Sequence, residues 1–256
     1  MMVSQIVGRS RVALEICVES AVGAAAAIEG GCDRIELCSA LALGGLTPSA
    51  GLVAAVLAVA RPAGVPVRAM VRPRPGGFDY DAEELALASA EAAALLDAGV
   101  QGLVFGATRA GRLDAAALRT WTGALGRPVP LTLHRAIDVT DDPVVAVGDA
   151  VGLGFDHILT SGGAASAPAG AATIAQMVAA AAGRCTIMAG AGVAPGNARA
   201  LIDATGVVAL HGSASEPAGN TDEDRFGFGP HPRTTSERLV RSLRQAIDDK
   251  SNIGQL

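Results

Sequence analysis

Lysine is nearly absent from this chain of 256 residues, which has one lysine, Lys250, against 19 arginines. An aldolase that works through a Schiff base needs a buried lysine whose pKa is depressed. Lys250 lies in the C-terminal tail, outside every strand that the sequence predicts. The sequence therefore excludes Schiff-base chemistry.

Aromatic residues and basic clusters are also scarce. Only 3% of the residues are aromatic, and the net charge is −5 with a pI near 5.4. Binding to nucleic acid or to an anionic membrane surface needs clustered Lys and Arg, and base stacking needs aromatic rings. We therefore expect neither a nucleic-acid partner nor a membrane partner.

The chain has no uncharged apolar run of the ~18 residues that a membrane span needs. The segment 1–10 lacks the basic region and apolar core of a secretory signal, and we expect it to be disordered. These features predict a cytoplasmic protein. In that compartment its four cysteines, Cys17, Cys32, Cys38 and Cys185, would be reduced thiols that pack in the core or bind a metal.

A repeated pattern is present along most of the chain. Eight times a short apolar run ends on a charged residue, a hydroxyl residue or a glycine, and an Ala-rich helical stretch follows. Strands that alternate with helices predict βαβ units and a parallel sheet, and eight units in this length predict an α/β fold of the (β/α)8 TIM-barrel class. We expect one domain, residues 11–250, with a long polar loop at 213–235 before the last helix.

Strand alternation predicts that unusually polar side chains point into the barrel. One interpretation is a buried network in which Glu15 and Glu36 pair with Arg68 and Arg72. The other is a pocket for an anion or a metal at the carboxyl ends of the strands, where active sites of this fold lie. The candidate catalytic residues of such a pocket are Glu15, Glu36, Arg72, His134, Asp138 and His211.

The pocket could serve an enzyme, a metal-dependent hydrolase or lyase, that acts on a small anionic substrate, including a phosphorylated one. Its carboxylates would hold Mg²⁺ or act as general acid and base. Arginines and the glycine-rich turns after the later strands would bind the anion. The anion-binding candidates are Arg72, Arg74, Ser161, Gly162, Gly190, Gly192 and Ser213.

Several motifs occur together in one order between Leu14 and His211: GGLTPS at 44–49, RPR at 72–74, HRAID at 134–138, LTSG at 159–162 and HGSAS at 211–215. In this combination the chain resembles the CutC family, known as copper homeostasis proteins. The resemblance implies a cytoplasmic barrel, able to form homo-oligomers, that is linked to copper tolerance. It implies no settled enzymatic reaction.

The resemblance also implies Cu(I) as the ligand, with Cys17 and Cys38 as its thiolates. Alternation independently places both cysteines inside the barrel on adjacent strands, and two thiols at similar height there could share one soft ion. Cys32 and Cys185 lie near the opposite ends of their strands, and we expect them to take no part. Two functions thus stay open: a Cu(I)-binding protein and a barrel enzyme for a small anion.

Overall fold

The computed structural model describes residues 11–217 and 233–249. Eight of its strands are parallel and close a barrel, so the predicted fold is confirmed. The strands in chain order are β1 (Ala13–Val18), β2 (Arg34–Leu37), β3 (Val67–Met70), β4 (Gly102–Phe105), β5 (Thr108–Arg109), β6 (Arg112–Leu113), β7 (Leu131–Leu133), β8 (His157–Thr160), β9 (Thr186–Ala189), β10 (Ala209–Gly212), β11 (Ser215–Pro217) and β12 (Arg233–Thr235). Around the barrel β1 to β4 are followed by β7 to β10, and β10 pairs with β1.

Helices connect the barrel strands and cover the barrel. They are α1 (Ala21–Glu29), α2 (Ala50–Ala60), α3 (Ala82–Ala98), α4 (Ala115–Ala124), α5 (Pro143–Gly152), α6 (Ala171–Ala181), α7 (Pro195–Thr205) and α8 (Glu237–Asp248). Two short 3-10 helices, Leu41–Leu43 and Arg135–Val139, follow β2 and β7 on the side of the carboxyl ends. Among the described residues, no helix combines the length and apolarity that crossing a membrane requires.

Local signals in the sequence set the ends of these helices. The Ser20 side chain accepts a hydrogen bond from the Gly23 N–H at the start of α1. Asp81 and Glu84 form a reciprocal capping box at the start of α3, and Gly99 ends that helix with a φ of 95°. Such caps satisfy backbone groups that have no partner within the helix. The capping residues therefore determine where each helix begins and ends.

The two faces of each strand lie in different surroundings. In β1, Leu14 and Ile16 belong to the large apolar cluster between barrel and helices, which also contains Trp121 stacked on Phe105. Ala13, on the other face, packs inside the barrel in a small apolar cluster of Leu159, Met188 and Ala209. The remaining interior positions are mostly polar, as alternation predicts.

The predicted polar loop 213–235 is described only at its two ends. There β11 and β12 pair as an antiparallel two-stranded sheet, with Glu216 opposite Thr234. The intervening residues 218–232 lie outside the described residues, as does the segment 1–10 for which we expect disorder.

Candidate functional site

A cavity of about 440 Å³ opens at the carboxyl ends of the barrel strands. Residues from most barrel strands and from the loops that follow them line it, so the fold places it where sites of barrel enzymes lie. Its lining residues are Cys17, Glu36, Leu41, Gly44, Met70, Arg72, Phe78, His134, Arg135, Leu159, Ala191, Gly192, Val193, His211, Gly212 and Ser213.

Three potential metal ligands meet at this cavity. One donor atom each from Cys17, Glu36 and His211 lies within 4.8 Å of the other two, and all three residues are buried. Strand register brings them together, since Cys17 is opposite Glu36 and Glu15 is opposite His211. A thiol, an imidazole and a carboxylate form a mixed set that suits a soft or borderline ion. Mg²⁺, which prefers oxygen ligands, is poorly served by this set.

Glu15 contacts His211, one of the three residues of this cluster. Its carboxylate accepts hydrogen bonds from Nε of Arg34 and from Nδ1 of His211, the latter at 2.9 Å. Burial alone would raise the pKa of Glu15, but the hydrogen bond from His211 and the charge of Arg34 lower it to about 2. Glu15 is therefore ionised, and its bond to Nδ1 leaves Nε2 of His211 facing Glu36 at 3.7 Å.

Glu36 differs from Glu15 in having no arginine partner among the described residues. Burial raises its pKa above the ordinary value. Its Oε2 accepts a long hydrogen bond from the Cys38 thiol at 3.6 Å, and its Oε1 is buried without a partner. An unpartnered buried acceptor is costly, which is consistent with a group that awaits a ligand.

Cys38 faces the barrel interior, as predicted. Register places Cys17 opposite Glu36, so Cys38 is two residues, about 6.6 Å, further along its strand. It is fully buried against Met70 and Val104, and burial raises the pKa of its thiol well above the ordinary value. Cys38 therefore lies at the next inward-facing position beyond Glu36, toward the carboxyl end of β2.

The other two cysteines lie away from the cavity, in the apolar cluster between barrel and helices. Burial raises the pKa of Cys32 to about 12 and also raises that of Cys185. Both are free thiols, and among the described residues neither belongs to a cluster of three potential metal ligands.

The ion pairs inside the barrel are not the predicted ones. Arg68 lies at the opposite end of the barrel, where it donates to Asp156 at 2.7 and 2.9 Å and to Thr132. Arg34, rather than Arg68 or Arg72, pairs with Glu15. The interpretation in which Glu15 and Glu36 pair with Arg68 and Arg72 is therefore not supported, since Arg68 pairs with Asp156 and Arg72 donates to backbone carbonyls.

His134 and Arg72 lie on another wall of the cavity. His134 caps the 3-10 helix after β7, where its Nδ1 accepts the Ala136 N–H at 3.1 Å. Burial and the charge of Arg72 lower the pKa of His134 to about 3, so its ring is neutral. The half-buried Phe78 ring packs on both residues, with the Arg72 guanidinium carbon 5.2 Å from the ring centroid.

Asp138 does not line the cavity. It fixes the loop after β8 by accepting hydrogen bonds from the Thr160 hydroxyl, the Ser161 hydroxyl and the backbone N–H groups of Ser161 and Gly163. Asp138, a catalytic candidate in the sequence, thus stabilises a loop.

The anion-binding candidates divide in two. Arg72, Gly192 and Ser213 line the cavity, whereas Arg74, Ser161, Gly162 and Gly190 do not. Arg74 pairs with Glu84 in the first turn of α3. The Ser161 hydroxyl donates a hydrogen bond to Asp138. Gly190 packs so closely on Leu159 and His211 that a Cβ would overlap the Leu159 side chain.

The cavity residues that sequence reasoning missed include Leu41, Phe78 and Arg135. All three lie in loops or 3-10 helices that directly follow a barrel strand. Because such loops form the mouth of the barrel, their position was the signal that could have identified them.

The fold and this cavity define a class: a (β/α)8 barrel with a buried thiol, imidazole and carboxylate at its carboxyl-terminal mouth. A model of the CutC family matches residues 12–216. Family proteins CutC of Sinorhizobium medicae and Caulobacter vibrioides are each 44% identical to this chain, over 244 and 243 residues, which is 93% of this chain and 97% of theirs. The chain belongs to the CutC family.

A solved structure agrees. The CutC protein of Streptococcus agalactiae, named there as a candidate copper homeostasis protein, superposes with a TM-score of 0.75 at 29% sequence identity. The match covers 79% of this chain and 98% of that one. The resemblance predicted from the motifs is confirmed at the level of the family.

Proposed function

We propose that this chain binds one Cu(I) at the barrel mouth and serves copper handling in the cytoplasm. The observation that carries the proposal is the buried group of Cys17, Glu36 and His211, whose donor atoms lie within 4.8 Å of one another. Thiolate and imidazole ligands suit Cu(I). The name of the solved Streptococcus agalactiae relative, a candidate copper homeostasis protein, supports the same ion.

Cys38 would be the second thiolate. Its sulfur lies 3.6 Å from Oε2 of Glu36, and register places Glu36 beside Cys17. The carboxylate thus lies next to both cysteines, and the Cys38 thiol already donates its hydrogen to it. Cys38 would need a small shift toward Cys17 to share an ion with it, which the neighbouring thioether of Met70 can accommodate as a flexible side chain.

Glu15 would orient the imidazole. A ligating histidine commonly donates its other ring N–H to a carboxylate, which fixes the ring and its tautomer. The bond between Glu15 and Nδ1 of His211 has this arrangement and leaves Nε2 for the ion.

The test is a titration of the reduced, anaerobic protein with Cu(I) against a chromophoric Cu(I) chelator. We expect one Cu(I) per chain, and a loss of affinity of at least about a hundredfold in Cys17→Ser and in Cys38→Ser, because each removes a thiolate. Cys32→Ser and Cys185→Ser are matched controls that should bind like the parent. Parallel titrations with Mg²⁺ and Zn²⁺ should show no Mg²⁺ binding.

Equal Cu(I) affinity in the parent and in the Cys17→Ser/Cys38→Ser double variant would end the proposal. So would equal losses in the control variants, since these thiols lie outside the cavity.

A further inference from the structure

Arg72 differs from the other deeply buried arginines of the described chain. Arg68 pairs with Asp156, and Arg244 pairs with Asp248. Among the described residues, no carboxylate oxygen lies within 4.0 Å of the Arg72 guanidinium, the distance at which an ion pair forms. A buried charge normally has a partner of opposite sign, because removing it from water is costly.

The neighbours of Arg72 are neutral. Its guanidinium donates to the backbone carbonyls of Leu43, Gly45 and Gly76, at 2.9, 3.1 and 2.7 Å. The Tyr80 hydroxyl lies beside this guanidinium and is neutral, because burial raises its pKa; the contact between the two groups falls outside ordinary hydrogen-bond geometry. These contacts hold the side chain in place, but they do not neutralise its charge, and its Nε–H has no acceptor in ordinary hydrogen-bond geometry among the described residues.

His134 supplies a second unused donor on the same wall of the cavity. Its Nδ1 accepts the Ala136 N–H, so the proton of the neutral ring is on Nε2. Nε2 is buried and has no acceptor. Both His134 and Arg72 are more than nine-tenths buried, both line the cavity, and both pack on the Phe78 ring.

The rest of the cavity has the size and the apolar walls to hold the uncharged part of a small ligand. Its volume of about 440 Å³ is far larger than one metal ion and lies in the range of sites for small organic molecules. Leu41, Met70 and Val193 give it apolar walls, and Arg135, whose charge is paired with Asp138, lies at its edge.

We propose that this cavity holds a small organic anion, a carboxylate or a phosphate monoester, whose oxygens accept hydrogen bonds from Nε of Arg72 and Nε2 of His134. The anion would supply the opposite charge that Arg72 lacks. Because the Phe78 ring packs on both side chains, the ligand must displace this ring to reach the two donors. The proposal goes beyond copper binding and does not depend on it.

The experiment uses the full chain, reduced and free of metal, so that its outcome is separate from that of the copper titration. Inorganic phosphate, methyl phosphate and propionate are titrated by calorimetry, and ¹⁵N-histidine spectra follow the Nε2 resonance of His134. The three probes distinguish a phosphate from a carboxylate head group. We expect at least one probe to bind and to shift that resonance.

The variants test the two donors. Arg72→Lys keeps the charge but lacks Nε–H and the planar fork, and we expect binding at least about tenfold weaker. We expect about fivefold weaker binding in His134→Phe, with most of the loss restored in His134→Gln, whose amide can donate. Arg74→Gln is the matched control, because Arg74 pairs with Glu84 outside the cavity, and its affinity should equal that of the parent.

The proposal fails if the parent binds none of the three probes at concentrations up to about 50 mM, where a site of millimolar affinity would be saturated. It fails equally if Arg72→Lys binds like the parent, or if binding leaves the His134 resonance unmoved. Should Arg72→Lys not fold, the comparison of His134→Phe with His134→Gln decides by the same criterion.

Discussion

Glu15 and His211 join the first and the last strand of the barrel through a hydrogen bond of 2.9 Å between Oε1 and Nδ1. The low pKa of Glu15, about 2, means that the carboxylate is ionised and that Nδ1 is the donor. The bond therefore sets which imidazole nitrogen remains for a ligand. It also separates the roles of two buried glutamates, since Glu15 holds a histidine and an arginine, whereas Glu36 faces the cavity.

Glu15→Gln and Glu36→Gln should differ in stability. Glu15→Gln leaves Arg34 buried without its counter-charge, and we expect a loss of roughly 3–5 kcal/mol in the free energy of unfolding. Glu36→Gln removes a carboxylate whose charged neighbour is His211 at 3.7 Å and not an arginine, and we expect a smaller loss of about 1–2 kcal/mol. Urea denaturation of both variants measures the difference. Equal losses would mean that Glu36 is also part of a structural ion-pair network.

His134 should make the protein less stable in acid. Its pKa falls from 6.5 to about 3 on folding, so between these values the unfolded chain binds a proton that the native protein does not. The free energy of unfolding should then fall by up to about 1.4 kcal/mol for each unit of pH lowered through this window. His134→Asn removes the titrating group, so denaturation at several pH values should give a shallower acid slope for the variant. Parallel slopes would contradict the assignment.

Gly106 should tolerate no side chain. A Cβ at this position would lie 2.7 Å from Cε1 of His134 and 2.9 Å from the Cβ of Ala136. We expect Gly106→Ala to lower the thermal midpoint, with a cost of about 1–3 kcal/mol for overpacking. The matched control is Gly148→Ala in the middle of α5, where no atom lies within 4 Å of the added Cβ. That variant should gain about 0.5–1 kcal/mol, because alanine favours the helix.

His211 should contribute to Cu(I) affinity less than the thiolates do. We expect His211→Asn to weaken binding about tenfold, because the imidazole is one ligand of several. His157→Asn is the control, since His157 contacts Arg34 and Asp156 at the other end of the barrel.

Affinity should also weaken as pH falls, because a thiol must lose its proton to bind the ion. Competition titrations over a range of pH test both statements, and an unchanged affinity in His211→Asn would remove this residue from the site.

The sequence by itself determined the barrel and the face on which most site residues lie. Both depend on short-range patterns: apolar runs that alternate with capped helices, and side chains that alternate along a strand. For this reason Glu15, Cys17, Glu36, Cys38 and His211 were correctly placed inside. The motifs that identified the family are short-range patterns as well.

Only the tertiary structure decided the partners. Glu15 meets His211 because the barrel closes β10 on β1, which joins residues almost 200 positions apart in the chain. Strand stagger puts Cys17 beside Glu36 instead of Cys38 and puts Arg68 beside Asp156. Arg74 pairs with Glu84 in the first turn of α3, and Arg72 has no carboxylate partner among the described residues. Such pairings depend on register, closure and loop paths, which local patterns in a sequence do not encode.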